Sequence, residues 1–277
     1  MSLAVNYRDY WKFSRWPFGN RATSPTFVTV PSGVEADARM HVVLERLYPL
    51  AVIFGPEGVG KTACLKRYLR PQFLTPRQHL SRPIYVSMIG LQRGQLFEAI
   101  AAATFERTSR TYSVSSERTV LDTIRSQEIL GLSTVIFLDD AHKASTASAL
   151  DVHRLMDMSE SLTVVMSATE IQNDEYRELI EGKAQLRIDL PPWELRDVEQ
   201  FVHQSVANAQ GNPLIFSDQS IVRLHELSQG IARHLIHLTE ITLLVGAATN
   251  AEKITPNLVD QAAEEMAIPH AEEQWSV

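Results

Sequence analysis

The sequence predicts an α/β fold, a parallel five-stranded sheet between helices, followed by a small all-helical domain. Three observations predict it. Five short apolar runs recur between residues 50 and 190, separated by stretches of helical spacing, the pattern of strands buried on both faces and joined by crossover helices. The first run, Leu50-Ala51-Val52-Ile53-Phe54, leads into a glycine-rich turn and then a helix-forming stretch. Past Pro191-Pro192 the strand pattern stops and four helical segments follow. With 277 residues there is room for one α/β domain and a smaller attachment, and a hydrophobic content of 44% is enough for a sizeable core.

The turn after the first strand is the most informative stretch. Gly55-Pro56-Glu57-Gly58-Val59-Gly60-Lys61-Thr62 fits G-x-x-x-x-G-K-[ST], the Walker A phosphate-binding loop, and Ala63 continues it into the helix. Glycines let the backbone turn with its N–H groups aimed inward. Lys61 is placed to meet the β- and γ-phosphates of ATP, and the Thr62 hydroxyl to hold Mg²⁺. A helix over residues 61–69 would begin at the phosphates, where its unpaired N–H groups and dipole favour an anion. The plainer alternative is a glycine-rich turn that only caps a helix. The strand before and the helix after favour the phosphate loop.

Ahead of it, residues 1–49 carry an aromatic cluster: Tyr7, Tyr10, Trp11, Phe13, Trp16 and Phe18. Aromatics at this density need something to pack on. The sequence places them as a segment strapped across the core domain, with a partner-binding patch as the alternative. Apolar residues near helical spacing predict a helix over 34–47.

Beyond the phosphate loop, 71–83 reads as loop and 84–88 as a second strand. From Gly58 to Phe97 no acidic residue occurs, while Lys61, Lys66, Arg67, Arg70, Arg77, Arg82 and Arg93 are basic. A solvated face is one reading; a phosphate-backbone contact surface at Gln92-Arg93 is the sharper one. Helices are predicted over 96–105 and 120–130, with an exposed loop over 108–116 between them. Thr134-Val135-Ile136-Phe137-Leu138-Asp139-Asp140 is then a buried strand ending in two carboxylates. After a Walker A loop this reads as Walker B, with Asp139 orienting Mg²⁺. The fourth strand, 162–167, ends in Ser167-Ala168-Thr169-Glu170, where a polar side chain can sense the γ-phosphate or position water. A shorter fifth strand over 184–190 precedes Pro191-Pro192-Trp193. Ligand in such a sheet sits at the carboxyl ends of the strands, where both Walker elements fall.

The helices of the second domain are read over 194–209, 217–227, 231–248 and 256–266, with Ser217 or Asp218 as a cap and Pro256 near the last start. Domains therefore divide as 1–49, 50–192 and 193–266, with a frayed tail over 267–277. Cys64, the only cysteine, excludes an internal disulfide and a cysteine metal site, and reads as a small buried apolar residue. A polar, aromatic N-terminus and the lack of any 18-residue apolar run predict a soluble cytoplasmic protein without membrane insertion. A net charge of −7 argues against indiscriminate coating of nucleic acid while leaving room for a local basic surface.

The order Walker A, Walker B, polar strand end, Arg187 on the last strand, and Gly230-Ile231-Ala232-Arg233 in the helical domain resembles an AAA+ ATPase with a P-loop NTPase core and helical lid. More narrowly, Tyr10…Trp16-Pro17-Phe18 is similar to the opening of ExeA/GspA-like ATPases, relatives of the TniB/TnsC-type transposition regulators. The resemblance implies that Lys61 and Thr62 serve ATP and Mg²⁺ and that Asp139 is the Walker B aspartate. It puts Asp140 where the family usually has a catalytic glutamate, and Ser167 or Thr169 near the sensor-1 position. It also implies that Arg187 is a finger acting on a neighbouring subunit and that Arg233 is the sensor-2 arginine. Plainer roles exist for both arginines: Arg187 pairing with Asp189, Arg233 capping a helix or covering apolar surface with its stem. His142, His225, His234 and His237 read as structural.

Two departures bear on function. Asp140 is a methylene shorter than glutamate, about 1.5 Å of reach, and misplacement of about 1 Å can cost ~100-fold in rate, so slow hydrolysis is expected. The membrane span and peptidoglycan-binding region of ExeA-type secretion ATPases have no counterpart in this sequence. The expected function is an ATP-switched regulator that forms homo-oligomers on ATP, contacts double-stranded DNA, and presents a surface to a protein partner such as a transposase. The alternative is a nucleotide-binding scaffold of a secretion or pilus-assembly system, with a secretion component as partner. A small-molecule kinase is disfavoured by the lid arginine and the lack of an acceptor site.

Overall fold

The computed structural model describes residues 6–18, 30–70, 83–104, 115–170 and 174–266. In chain order the first elements are α1 (Tyr7–Tyr10), α2 (Pro31–Arg46), β1 (Leu50–Phe54), α3 (Lys61–Arg67), β2 (Ile84–Ser87), α4 (Gln95–Thr104), α5 (Ser116–Ile129) and β3 (Thr134–Asp139). There follow α6 (Ser148–Met156), β4 (Leu162–Ala168), α7 (Asp174–Lys183), β5 (Leu186–Asp189), α8 (Leu195–Asn208), α9 (Asp218–Ser228), α10 (Ala232–Ala248) and α11 (Pro256–Glu265). They divide into two compact units: Glu35–Leu190, and the two chain ends Met1–Val34 with Pro191–Val277.

The first unit is a parallel five-stranded sheet in the order β2-β3-β4-β1-β5. The interior strands β3 and β4 are buried at every position, which explains their unbroken apolar sequence. The edge strands β2 and β5 have alternating exposure and are shorter. Period-two alternation sends Leu50, Val52, Ile136, Leu138 and Val164 into one core with α4, α5, α6 and α7. The residues between them, Ala51, Ile53, Val135, Phe137 and Val165, enter a second core under α2 and α3. Helices thus cover both faces, as the sequence predicts.

Differences are local. The helix expected over 61–69 ends at Arg67, because Tyr68 turns inward as its C-cap and donates its hydroxyl to Asp37 Oδ1 at 3.1 Å. Strand β3 stops at Asp139, since Asp140 adopts φ 57° and ψ 42° and opens a 3-10 turn, Ala141–Lys143. Helices α6 and α7 have no counterpart in the sequence reading; the N-cap of α6 is Ala147, which has no side-chain acceptor to mark the start. Cys64 is buried, as expected, and burial with nearby Asp37 pushes its thiol up to about 12, leaving it inert. Of the loops expected over 71–83 and 108–116, residues 71–82 and 108–114 lie outside the described residues, as do the basic residues Arg77 and Arg82 and the tail over 267–277, while Ser116 already belongs to α5.

The second unit holds the largest difference. The sequence strapped the aromatic segment across the sheet domain; in the structure Tyr7, Trp11, Phe13 and Phe18 share one core with α8, α9, α10 and α11. Trp11 Nε1 donates to Leu243 O at 2.9 Å and its ring lies where a Cβ on Gly246 would need to be. Tyr10 donates its hydroxyl to Ala251 O at 2.9 Å, and Ser14 N donates to Ala209 O at 2.8 Å. Ser217 caps α9 by accepting from Ser220 N, and Pro256 opens α11. Among the described residues no helix is long and apolar enough to cross a membrane.

Candidate functional site

The glycine-rich turn joins β1 to α3 at the carboxyl edge of the sheet. Gly55 has no side chain because none fits: a Cβ there would stand 2.4 Å from Leu190 O, where the end of β5 closes on the turn. Leu190 N donates to Phe54 O at 2.7 Å in the same closure. Gly60 has φ 117°, a left-handed conformation that side chains avoid, and a Cβ on it would meet no atom within 4 Å. The turn is therefore tight against β5 on one side and open around Gly60. Pro56 and Val59 hold it through a Val59 N to Pro56 O contact of 3.4 Å.

Lys61 is only 6% exposed. Its ammonium donates to Gly55 O at 2.7 Å, to Pro56 O at 2.9 Å and to Thr169 Oγ1 at 3.0 Å. Burial holds its pKa below the usual lysine range, against the opposing pull of Asp140, Glu57 and Asp139. Thr62 and Ala63 follow in the first turn of α3, whose N-cap Gly60 supplies no side-chain acceptor.

Two strands away from β1, Asp139 at the end of β3 is 2% exposed and both of its oxygens are engaged. Oδ2 accepts from the Tyr85 hydroxyl at 2.7 Å. Oδ1 accepts from Ser167 Oγ and, at 3.1 Å, from Asp140 N, which also donates to Ser167 Oγ at 2.9 Å. Burial and then the bond to Asp139 push the Tyr85 hydroxyl pKa up, so it remains a donor. Of the two sensor-1 candidates, Ser167 thus faces Asp139 and Thr169 faces Lys61. Thr169 N also donates to His142 Nδ1 at 3.3 Å.

Beyond β3, the Asp140 carboxylate lies 3.6 Å from Lys143 Nζ, which donates in turn to Glu57 Oε1 at 3.3 Å. On the edge strand, Arg187 pairs with Asp189 at 2.8 Å and stacks over the Phe54 ring at 4.5 Å. Gly58, with φ 81°, completes the turn. The structure brings the phosphate turn, Asp139, Asp140, Ser167 and Arg187 to one edge of one unit. Arg233 belongs to the other, exposed near the start of α10. Just before it, Gly230 has φ 69°, and a Cβ there would meet Trp193 O at 2.2 Å.

Sequence reasoning missed Tyr85, Lys143 and Leu190. Lys143 had a readable sign, since it follows Asp140 by three residues. Tyr85 and Leu190 had none, because their contacts depend on strand order. An open cavity of about 850 Å³ bordered by Pro49, Asp157, Glu160, Lys183 and Gln185 lies at the opposite, amino edge of the sheet, away from these groups.

Oxygen donors suited to a hard divalent cation belong to this same edge: the Thr62 hydroxyl, which follows buried Lys61 in α3, and the buried Asp139 carboxylate at the end of β3. Together with a turn that tolerates no side chain at Gly55, this fits a triphosphate and Mg²⁺.

Residues 45–175 match a family model described as an AAA domain. The fold is the P-loop AAA+ fold. Cdc6p from Pyrobaculum aerophilum is 17% identical over 87% of this chain and 69% of that chain, with a TM-score of 0.64. The ORC2 protein of Aeropyrum pernix, solved as ADPNP–ADP complexes, is 16% identical over 91% of this chain and 72% of that one, at 0.67. The ORC1 protein of the same organism, solved in complex with DNA, is 18% identical over 91% and 69%, at 0.66. No curated protein matches the chain in sequence.

Proposed function

We propose that this protein is an ATP-binding AAA+ regulator that hydrolyses ATP slowly, and that bound nucleotide sets how its protomers associate. The observation that carries this reading is the convergence on Lys61: its buried ammonium contacts both the phosphate turn and Thr169 at the end of β4, one strand away from Asp139. Lys61 neutralises charge on the β- and γ-phosphates, and the Gly55–Thr62 backbone supplies N–H donors around them. Thr62 and Asp139 would hold Mg²⁺, which when bound draws charge off the phosphate oxygens.

Asp140 takes a proton from the attacking water. Ser167 fixes Asp139 and the Asp140 amide, and so acts as a positioning residue, whereas Thr169 is the better candidate to touch the γ-phosphate. Arg187 is the finger toward a neighbouring protomer, and Arg233 the lid arginine. Likeness to proteins solved with ADPNP and with DNA supports nucleotide and DNA as ligands. The narrower grouping with ExeA/GspA-like and TniB/TnsC-type ATPases rests on the N-terminal Trp16-Pro17-Phe18 and the order of motifs.

Equilibrium binding of a fluorescent ATP analogue to the full chain, with magnesium, tests the reading. The parent binds and turns over at less than about 10 per second, the ordinary enzyme median, and Lys61→Ala binds at least tenfold more weakly. A parent protein that retains no adenine nucleotide overturns it.

A further inference from the structure

The Lys143 ammonium stands between two carboxylates of different origin, Glu57 from the phosphate turn and Asp140 from the end of β3. Its position is fixed from behind. The 3-10 turn Ala141–Lys143 is closed by Lys143 N donating to Asp140 O at 2.9 Å, and Lys143 O accepts from Gly90 N at 3.1 Å. The stem of Lys143 therefore starts from an anchored backbone and reaches back over the residue that opens the turn. Asp140 is itself restrained: at φ 57° its amide N–H donates hydrogen bonds to Ser167 Oγ and Asp139 Oδ1. The pair is partly shielded, with the Asp140 side chain 21% and the Lys143 side chain 35% exposed, so solvent weakens it less than a surface pair.

A carboxylate that activates water must offer a lone pair to that water. An ammonium at 3.6 Å competes with that water for the lone pair and fixes the direction in which the carboxylate points. We propose that Lys143 is a restraining residue of this site: by holding the Asp140 carboxylate between β3 and Glu57 of the phosphate turn, it keeps hydrolysis slow. The inference rests on the reading of the site as an ATPase. It differs from the account based on side-chain length, in which the aspartate is slow because it is short. Here the slow rate has a removable cause, and Glu57 ties that cause to the segment that cradles the phosphates.

The test is steady-state turnover together with nucleotide affinity in the full chain, for the parent, Lys143→Met and Lys143→Arg. Lys143→Met is expected to raise kcat by about fivefold or more, as for the loss of a pair near the upper end of the exposed range, with nucleotide Kd changed by less than about twofold. Lys143→Arg keeps the charge and the slow rate, which a purely steric or folding role would not reproduce. A Lys143→Met protein that binds nucleotide but turns over no faster than the parent overturns the inference and leaves the ATPase reading standing. Weaker nucleotide binding with slower turnover also overturns it, because Lys143 would then be a phosphate ligand. A parent that neither binds nor hydrolyses ATP overturns both.

Discussion

His142 shows how much of this site's behaviour depends on single atoms. Its Nδ1 accepts from Thr169 N, and Thr169 in turn carries the hydroxyl that meets Lys61. Burial holds the imidazole below its ordinary 6.5, with Lys143 and Lys61 acting the same way and Asp140 and Glu57 opposing. The folded state therefore favours the neutral ring, and the unfolded chain binds more protons near and below the ordinary value. Stability from this contact is complete above that value and is lost as pH falls below it. Urea midpoints measured between pH 7.5 and pH 5.5 should fall more steeply for the parent than for His142→Asn, whose Oδ1 can accept from Thr169 N without titrating. Parallel curves would remove His142 from the account. The same atomic detail separates Ser167 from Thr169: two hydroxyls two residues apart at the end of β4, one serving Asp139 and the other Lys61.

At the scale of elements, the end of β5 closes on the glycine-rich turn without room for a side chain at Gly55. Gly55→Ala forces its new methyl against Leu190 O, which is backbone and cannot swing aside. A destabilisation of about 1–3 kcal/mol is expected from such overpacking, read as a lowered urea midpoint, together with weakened nucleotide binding. Unchanged values for both would mean that β5 is free to withdraw from the turn. The strands and the turn itself were legible in the sequence because their signals are local. Leu50–Phe54 is apolar throughout, and the glycines and Lys61 stand at fixed offsets from it. What was not legible depends on which strand lies beside which. Tyr85 meets Asp139 only because β2 pairs with β3, and Leu190 meets Gly55 only because β5 pairs with β1. The aromatic segment is intermediate: its composition announced a need for a partner, but no residue in it names α10 over the sheet.

On the scale of the whole molecule, the candidate DNA contact and the nucleotide site share a backbone connection. Arg93 is exposed on the loop between β2 and α4. That loop is bonded to the segment following β3 through Gly90 N to Lys143 O, and through Leu91 O, which accepts from Ser145 N at 2.9 Å and Ser148 Oγ at 3.0 Å. Its far end is pinned where Gly94 N donates to buried Asp151 at 2.5 Å. Duplex DNA binding in the presence of ATP should weaken as log affinity falls linearly with log salt. Arg93→Ala should weaken binding at every sequence tested and reduce the slope by about one. Binding that ignores salt or the substitution would place any DNA contact elsewhere.

The helical unit is assembled from two segments that flank the sheet unit in sequence, which bears on how it forms during synthesis. Trp11 is translated 232 residues before Leu243, whose carbonyl receives its indole. At ribosomal speeds of about 5–20 residues per second, the aromatic segment waits on the order of 10–50 s for its seat to be made. Throughout that interval its rings are sticky and unclaimed, so a nascent chain needs shelter around this segment until Leu243 has emerged.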